Sequence, residues 1–265
     1  MTWWQLILLA VVQGVAEFLP ISSSGHLVIL AHLFPSQEGQ QGDLTAFNVI
    51  LHAGTLGSIL VFYRRQIAEL LTKDRSLIWL LAIGTVPAVV AGLGIKLLAD
   101  EVLELPIVAG AMLPITGLML LWMAGRDGEL EYTKLTIKQA LIIGAFQAFA
   151  LLPGISRSGS TIVAGLLVGL KRPAAATFSF LLAIPAITLA AGFELLQLIM
   201  NPTPDTHAGM LAAGAAISFG VGLLALWLVV RLLNQGRLHW FAYWCIPFGL
   251  VVIAWQVWEW MPSTS

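Results

Sequence analysis

The chain has 265 residues, of which 58% are hydrophobic and only 10% charged, with a mean hydropathy of +0.90 and a formal net charge of −1. Soluble proteins carry roughly 25% charged residues, so the composition excludes an ordinary water-facing surface and predicts an integral membrane protein. The near-zero net charge excludes a nucleic-acid binder that neutralises phosphates, and the single cysteine, Cys245, excludes a disulfide framework or a cysteine-rich metal cluster.

Apolar stretches of about 20 residues, the length needed to cross the hydrocarbon core, recur along the chain. The first apolar region, residues 2–34, is interrupted near its centre by the sequence EFLPISSSGH at 17–26. A later region, residues 139–170, is interrupted in the same way by LPGISRSGST at 152–161. The arms of both regions are short for a span and are typical of re-entrant hairpins, which return to the side they entered. Full spans are predicted at 44–63, 76–98, 105–124, 174–199, 207–230 and 238–258.

The two interrupted regions are copies of each other. At an offset of 134 residues, the matching pairs are Gln13 with Gln147, Ala16 with Ala150, Ile21 with Ile155, Ser22 with Ser156, Ser24 with Ser158 and Gly25 with Gly159. We therefore predict an all-α integral membrane protein built as an inverted-topology repeat, because three spans per half turn the second half upside down. Each half is a re-entrant helical hairpin followed by three transmembrane helices. The halves are residues 1–125 and 135–265, joined by a cytoplasmic linker at 126–134.

Basic residues determine the predicted orientation. If both hairpins are re-entrant, eleven Lys and Arg side chains fall on one side of the membrane, which the positive-inside rule assigns to the cytoplasm. The opposite loops contain acidic residues but no Lys or Arg. Both termini are then expected outside. The eleven basic residues are Arg64, Arg65, Lys73, Arg75, Arg126, Lys134, Lys138, Lys171, Arg172, Arg231 and Arg237.

Few ionisable side chains lie at membrane depth, where their energetic cost makes them candidates for function. They are Glu17, His26, His52, Arg157 and Glu194. Three of them lie in the two breaks, which meet at the midplane in an inverted repeat, so we expect Glu17 and His26 to face Arg157. The offset also makes Ser23 the counterpart of Arg157 and places its hydroxyl near the guanidinium.

The two breaks predict a site for phosphate, and more naturally for diphosphate. The short helices that follow the breaks begin near Ser24 and Ser158, so their positive ends and the Ser-Gly backbone amides point into one cavity beside the buried arginine. Anion binding alone does not need Glu17 and His26, and their presence beside a serine hydroxyl indicates hydrolysis. In this interpretation His26 moves protons, Glu17 orients His26 or holds a metal ion, and Ser23 attacks the phosphate.

Other interpretations remain open at this point. His52, in the middle of a span, fits a hydrogen-bonded packing residue as well as a residue that lines the cavity. Glu194 fits a position at the membrane interface. Inverted repeats with broken helices also build secondary transporters, so the same site could move an anion across the bilayer.

These motifs resemble the undecaprenyl pyrophosphate phosphatase (bacitracin-resistance) family of bacterial inner-membrane enzymes, over essentially the whole chain. The first family signature, Glu/Gln-x-x-x-Glu running into Pro-x-Ser-Ser-x-Gly-His, reads QGVAEFLPISSSGH at 13–26. The second, Pro-Gly-x-Ser-Arg-Ser-x-x-Thr, reads PGISRSGST at 153–161. This chain has Gln13 where some members have Glu, which weakens the case for a two-carboxylate metal site.

The resemblance implies a membrane phosphatase that converts undecaprenyl diphosphate to undecaprenyl phosphate and recycles the lipid carrier for cell-wall synthesis. It implies a multi-pass protein of the bacterial inner membrane, with a site open to the periplasmic side and a divalent cation, Mg²⁺ or Ca²⁺, as cofactor. The expected partners are the polyprenyl diphosphate and the bilayer, and a homodimer is left open. The alternative function is an inverted-repeat transporter or flippase for an anion or for the polyprenyl phosphate itself.

By the same resemblance, the catalytic residues are Glu17, Ser23, His26 and Arg157. Ser23 is the favoured nucleophile, a water activated by His26 and Glu17 is the alternative, and Glu17 is the one candidate metal ligand. Gln13 and His52 are candidates for supporting roles. The positions expected to contact phosphate are Ser22, Ser24, Gly25, Ser156, Ser158, Gly159 and Thr161.

Overall fold

A computed structural model describes residues 2–33, 41–73, 75–98, 103, 105–200 and 208–260, without the side chains of 41–46 and 96–98. No β-strand occurs within these ranges, so the prediction of an all-α protein is confirmed for the part of the chain that is described. The α-helices are α1 (Trp3–Ala16), α2 (Ser23–Leu33), α3 (Gln41–Phe62), α4 (Arg64–Thr72), α5 (Arg75–Leu98), α6 (Pro106–Trp122), α7 (Ile137–Phe149), α8 (Arg157–Leu167), α9 (Arg172–Met200), α10 (Ala208–Asn234) and α11 (Ala242–Trp260). Two short 3₁₀ helices cover Tyr132–Lys134 and Leu238–Phe241.

Four of these helical segments are long and apolar enough to cross a membrane. They are Arg75–Ile95, Arg172–Met200, Ala208–Asn234 and Leu238–Trp260. Their outward faces carry large apolar side chains, such as Trp79 at 72% exposure and Val90 at 65%. A soluble monomer rarely exposes such surface, so the prediction of an integral membrane protein is confirmed. The remaining two predicted spans correspond to α3, with 22 residues, and α6, with 17.

Both interrupted regions form two helices separated by an irregular break. In the first region α1 ends at Ala16 and α2 begins at Ser23, and in the second α7 ends at Phe149 and α8 begins at Arg157. Each break contains a proline, whose missing N–H and fixed φ oppose a continuous helix. The chain then restarts from a serine cap: the Gly25 N–H donates to Ser22 Oγ at 3.2 Å, and the Gly159 N–H donates to Ser156 Oγ at 3.1 Å.

The long helices hold the two breaks in the interior. Helix α6 packs along α11 and contacts both α2 and α8, whereas α10 packs against α1 and α3, and α5 packs against α7 and α9. Glycines permit these close contacts. A Cβ on Gly144 of α7 would lie 2.2 Å from the Gly84 carbonyl oxygen of α5, and one on Gly110 of α6 would lie 2.9 Å from a Val252 side-chain carbon of α11.

The connections that carry basic residues meet at one end of the helical bundle. The Gly169 carbonyl oxygen accepts from the Leu130 N–H at 2.9 Å, and the Leu130 carbonyl oxygen accepts from the Lys171 N–H at 3.0 Å. The Arg172 guanidinium donates to the carbonyl oxygens of Gly125, just before the linker, and Arg126, its first residue, each at 3.0 Å. The linker between the predicted halves is thus tied to the end of α8 and the start of α9.

Candidate active site

The two breaks touch each other inside the bundle. The Gly154 N–H of the second break donates to Ser22 Oγ of the first at 3.1 Å. A Cβ on Gly25 would lie only 2.8 Å from the Gly154 nitrogen, and one on Gly159 would lie 3.1 Å from the Pro20 Cβ. The two breaks, which the predicted repeat brings together, are therefore in close contact, which leaves no room for a side chain at Gly25 and makes the fit tight at Gly159.

Glu17 lies at the centre of a polar cluster at this contact. Its Oε1 accepts from Arg157 Nη2 at 2.8 Å, and its Oε2 accepts from Ser23 Oγ at 2.9 Å and from Gln13 Nε2 at 3.0 Å. His52 Nε2 lies 4.0 Å from the same Oε2. The carboxylate is only 6% exposed, so its charge is balanced by these neighbours and not by bulk water. The structure thus joins Glu17, Ser23 and Arg157, together with both candidates for supporting roles.

Arg157 binds the carboxylate with only one arm of its guanidinium. Its Nη1 is buried and, within the described part of the chain, has no hydrogen-bond partner. A buried N–H group without an acceptor is costly, so this nitrogen is a candidate donor to an oxygen atom of a ligand or a water. Beside a serine hydroxyl and an anionic base, this arm can bind one oxygen of a phosphate.

The hydroxyl side chains of the two breaks divide into two groups. Ser22, Ser156, Ser158 and Thr161 are almost completely buried, at 1% to 2% exposure, and their hydroxyls bond within the protein. The Thr161 hydroxyl, for example, donates to the Arg157 carbonyl oxygen at 2.8 Å and is also hydrogen-bonded to Ser179. Ser23 and Ser24 retain exposed surface. In this arrangement, Ser23 is the residue that combines an accessible hydroxyl with a hydrogen bond to a base.

His26 is not part of the Glu17 cluster. Its Nδ1 lies 2.8 Å from the Ser22 carbonyl oxygen, and its Nε2 accepts from the Trp244 indole N–H at 3.1 Å. Both ring nitrogens are thus engaged by the break and by α11, and neither of them is hydrogen-bonded to Glu17 or Arg157 in the described part of the chain.

His52 and Glu194 are connected through Asn48. His52 Nδ1 lies 2.9 Å from the Asn48 carbonyl oxygen, and Asn48 Nδ2 donates to both Glu194 carboxylate oxygens at 3.2 and 3.4 Å. The His52 side chain is 25% exposed, is hydrogen-bonded within α3 and lies 4.0 Å from Glu17 Oε2. Glu194 is hydrogen-bonded across from α9 to α3.

Two residues of the site region were not singled out by the sequence. Thr116, on α6, donates to the Gly154 carbonyl oxygen at 2.8 Å and accepts from the Ser156 N–H at 3.0 Å. A lone hydroxyl in an apolar span was its only sequence signal. Trp244, on α11, binds His26, but it is one of ten tryptophans in the chain and resembles the others in its apolar context.

The residues around Glu17 show whether the expected divalent cation has a binding site there. Three N–H or O–H groups already donate to its two oxygens. One of them is the side-chain amide of Gln13, which occupies the position where a two-carboxylate metal site would need a second carboxylate. Among the described residues, no group of three or more His, Cys, Asp or Glu side chains could hold a metal ion. Mg²⁺ and Ca²⁺ require several oxygen ligands, so the residues present do not fit a preformed cation site.

Comparisons with known proteins show what the chain as a whole is similar to. The family model described as "Bacitracin resistance protein BacA" matches residues 6–251. A protein of Rhodopirellula baltica named "Undecaprenyl-diphosphatase" is 51% identical over 251 residues, which cover 94% of this chain and 96% of that protein. Proteins of the same name from Korarchaeum cryptofilum and Corynebacterium diphtheriae are 37% and 34% identical, covering 94% and 96% of this chain and 98% and 94% of their own lengths.

Proposed function

The chain belongs to the bacitracin resistance protein BacA family, and we propose that it hydrolyses undecaprenyl diphosphate to undecaprenyl phosphate and inorganic phosphate. The observation that carries this proposal is the contact of Ser23 and Arg157 with the two oxygens of one buried carboxylate, that of Glu17. A hydroxyl, a base and a cation in one cluster supply what phosphate transfer needs. The product would return to cell-wall synthesis as the lipid carrier.

In the proposed reaction, Ser23 Oγ attacks the terminal phosphorus and its proton passes to Glu17 Oε2. The bond from that phosphorus to the bridging oxygen breaks, and its electron pair leaves with undecaprenyl phosphate. Arg157, with its second arm unpaired in the described protein, stabilises the charge on the transferred phosphoryl group. Water then attacks the phosphoserine, Glu17 returns its proton to Ser23, and one proton is released with inorganic phosphate.

We also propose the inverted repeat of residues 1–125 and 135–265, with two re-entrant hairpins and six spans. The helix contacts support it. Under the 134-residue correspondence, the packing of α1 against α10 matches that of α7 against α5, and the packing of α3 against α10 matches that of α9 against α5. The pairs α6 with α11 and α3 with α9 would then lie on the pseudo-two-fold axis.

The proposed location is the bacterial inner membrane, with the active site open to the periplasm and both termini outside. Three arginines at the proposed cytoplasmic end each lie over a tryptophan ring, at 4.9 to 5.5 Å from the ring centre, an arrangement suited to a membrane interface. They are Arg126 over Trp122, Arg231 over Trp227 and Arg237 over Trp240.

We propose that the divalent cation, Mg²⁺ or Ca²⁺, enters bound to the diphosphate of the substrate, because the protein lacks a fitting set of ligands at Glu17. Titration calorimetry of the protein with Mg²⁺ alone is expected to show no tight binding, and addition of a non-hydrolysable diphosphate should create it. Tight binding of Mg²⁺ without diphosphate would contradict this proposal.

The test of the function is phosphate release from undecaprenyl diphosphate in detergent. We expect release by the wild type and a loss of about 100-fold or more in both Ser23→Ala and Arg157→Ala. Acid quenching with substrate labelled in its terminal phosphate should leave label on the wild type but not on Ser23→Ala. Unchanged release by both variants would overturn the mechanism, and no release by the wild type, with anion flux into vesicles, would favour the transporter.

A further inference from the structure

His26 is held by two hydrogen bonds that together define its protonation. A carbonyl oxygen only accepts, so Nδ1, at 2.8 Å from the Ser22 oxygen, carries the ring hydrogen and donates it. Nε2 is then the acceptor for the Trp244 indole N–H at 3.1 Å. A neutral imidazole has one donor and one acceptor, and here both are used within the protein.

Aromatic rings of α11 also fix the orientation of the imidazole. Phe248 is stacked on it with ring centres 4.9 Å apart and planes 15° apart, and Trp244 is nearly parallel to it at 6.2 Å and 13°. To move into the Glu17 cluster, the His26 side chain would have to leave both the stacking and the two hydrogen bonds.

The Ser22 carbonyl that His26 binds belongs to a strained residue. Ser22 has a φ of +70°, the only positive φ of a non-glycine residue in the described chain, and such a conformation persists only where surrounding contacts hold it. Ser22 Oγ accepts from the N–H groups of Gly25 and Gly154, so this residue joins the two breaks. Ser23 follows directly, and its hydroxyl meets Glu17.

We propose that His26 is a positioning residue and that Trp244 is its anchor. His26, Trp244 and Phe248 form an aromatic clamp that holds the Ser22 turn and thereby aims Ser23 Oγ at Glu17. The proposal rests on the proposed phosphatase function and changes the part that His26 plays in it. The proton transfer assigned to His26 from the sequence then belongs to Glu17, which already contacts the nucleophile.

A pair of substitutions at His26 separates positioning from proton transfer. The Nδ2 amide group of asparagine occupies nearly the place of the histidine Nδ1, so the side chain of His26→Asn can still donate to the Ser22 carbonyl oxygen. His26→Ala loses this side-chain donor and keeps only the backbone N–H of residue 26, which donates to the same oxygen at 3.3 Å. Neither variant can carry a proton as an imidazole does. We expect kcat of His26→Asn to stay within about 10-fold of the wild type and that of His26→Ala to fall much further.

Two further variants test the anchor. Trp244→Phe keeps an aromatic ring but removes the indole N–H, and the loss of one neutral hydrogen bond predicts a fall in kcat of about 3- to 10-fold. Trp258→Phe, at a 74% exposed position on the same helix, is the matched control and should leave kcat unchanged. Both variants and His26→Asn should keep the shape of the wild-type pH profile.

The outcomes are distinct. If His26→Asn is as inactive as His26→Ala, or if it loses one limb of the pH profile while Trp244→Phe is normal, His26 carries protons and the proposal is overturned. Size-exclusion chromatography and thermal unfolding in detergent identify a variant that fails to fold. If His26→Ala fails to fold, the test rests on His26→Asn and Trp244→Phe. A wild type that releases no phosphate contradicts the proposed function itself, independently of the clamp.

Discussion

At the scale of single residues, the neighbours of Glu17 explain how this carboxylate can be charged at membrane depth. Three donors face its two oxygens, and one of them, Arg157, brings a full positive charge to 2.8 Å. The ion pair is stable only as a unit, because removing one member leaves the other charged in a medium of low dielectric constant. In the proposed mechanism, catalysis and stability therefore depend on the same side chain.

Glu17→Gln should lower both activity and stability. The amide cannot accept the Ser23 proton, and it leaves the partly buried Arg157 without its anionic partner, at an expected cost of about 3 kcal/mol in the free energy of unfolding. Thermal unfolding in detergent and phosphate release measure the two effects. Glu69→Gln, at an exposed position on α4, is the matched control and should change neither. A Glu17→Gln variant as stable as the wild type would contradict the importance of the ion pair.

Arg157→Lys should keep the charge and lose most of the activity, by about 100-fold in kcat/KM. A guanidinium can bind Glu17 with one arm and a phosphate oxygen with the other, whereas an ammonium is a single point of charge. Phosphate release measured over a range of substrate concentrations tests this. Arg65→Lys, the same substitution at an exposed position on α4, is the matched control and should leave kcat/KM unaffected. Near-normal rates in Arg157→Lys would argue against close contact with phosphate.

Some of these contacts could be predicted from the sequence and others could not. The pairing of Glu17 with Arg157 follows from the repeat, because matching breaks must meet and few charged residues lie at that depth. Trp244 lies 218 residues from His26 on an apolar helix, and which of its faces meets α2 depends on the packing of α11 against α6. A sequence pattern carries no information on that rotation.

At the scale of helices, the hydrophobic lengths predicted the long elements to within a few residues, since the cost of exposing backbone in lipid fixes where a helix can end. Helix α4 was not predicted. It is amphipathic, with charged residues at Arg64, Arg65 and Glu69, and its 9 residues are far too few for a membrane span, so a search for apolar spans passes over it.

Gly25→Ala should separate the two breaks. The added Cβ would lie 2.8 Å from the Gly154 nitrogen, which is backbone and cannot move aside cheaply, so we expect lower thermal stability and a loss of phosphate release. Gly220→Ala on α10 is the matched control: its Cβ would meet nothing within 4 Å, and alanine favours the helix. Equal behaviour of the two variants would contradict a tight contact between the breaks.

At the scale of the whole molecule, the proposed orientation can be tested with single cysteines. Cys245 is buried, so a Cys245→Ala background should retain the fold and be free of thiols. A membrane-impermeant thiol reagent applied from outside is expected to label Val102→Cys and not Arg126→Cys, because the positive-inside rule places residue 126 in the cytoplasm. Labelling after permeabilisation is the control for access to residue 126. The reverse pattern would overturn the orientation.

The Glu17–Arg157 ion pair also has a consequence for turnover. In the proposed mechanism, a phosphate in the site shares the Arg157 guanidinium with the Glu17 carboxylate. Glu17 therefore competes with bound anions for Arg157. This competition should lower the affinity for inorganic phosphate more than the affinity for the larger, more highly charged diphosphate. We therefore expect weak product inhibition, and an enzyme that clears its site quickly after each cycle.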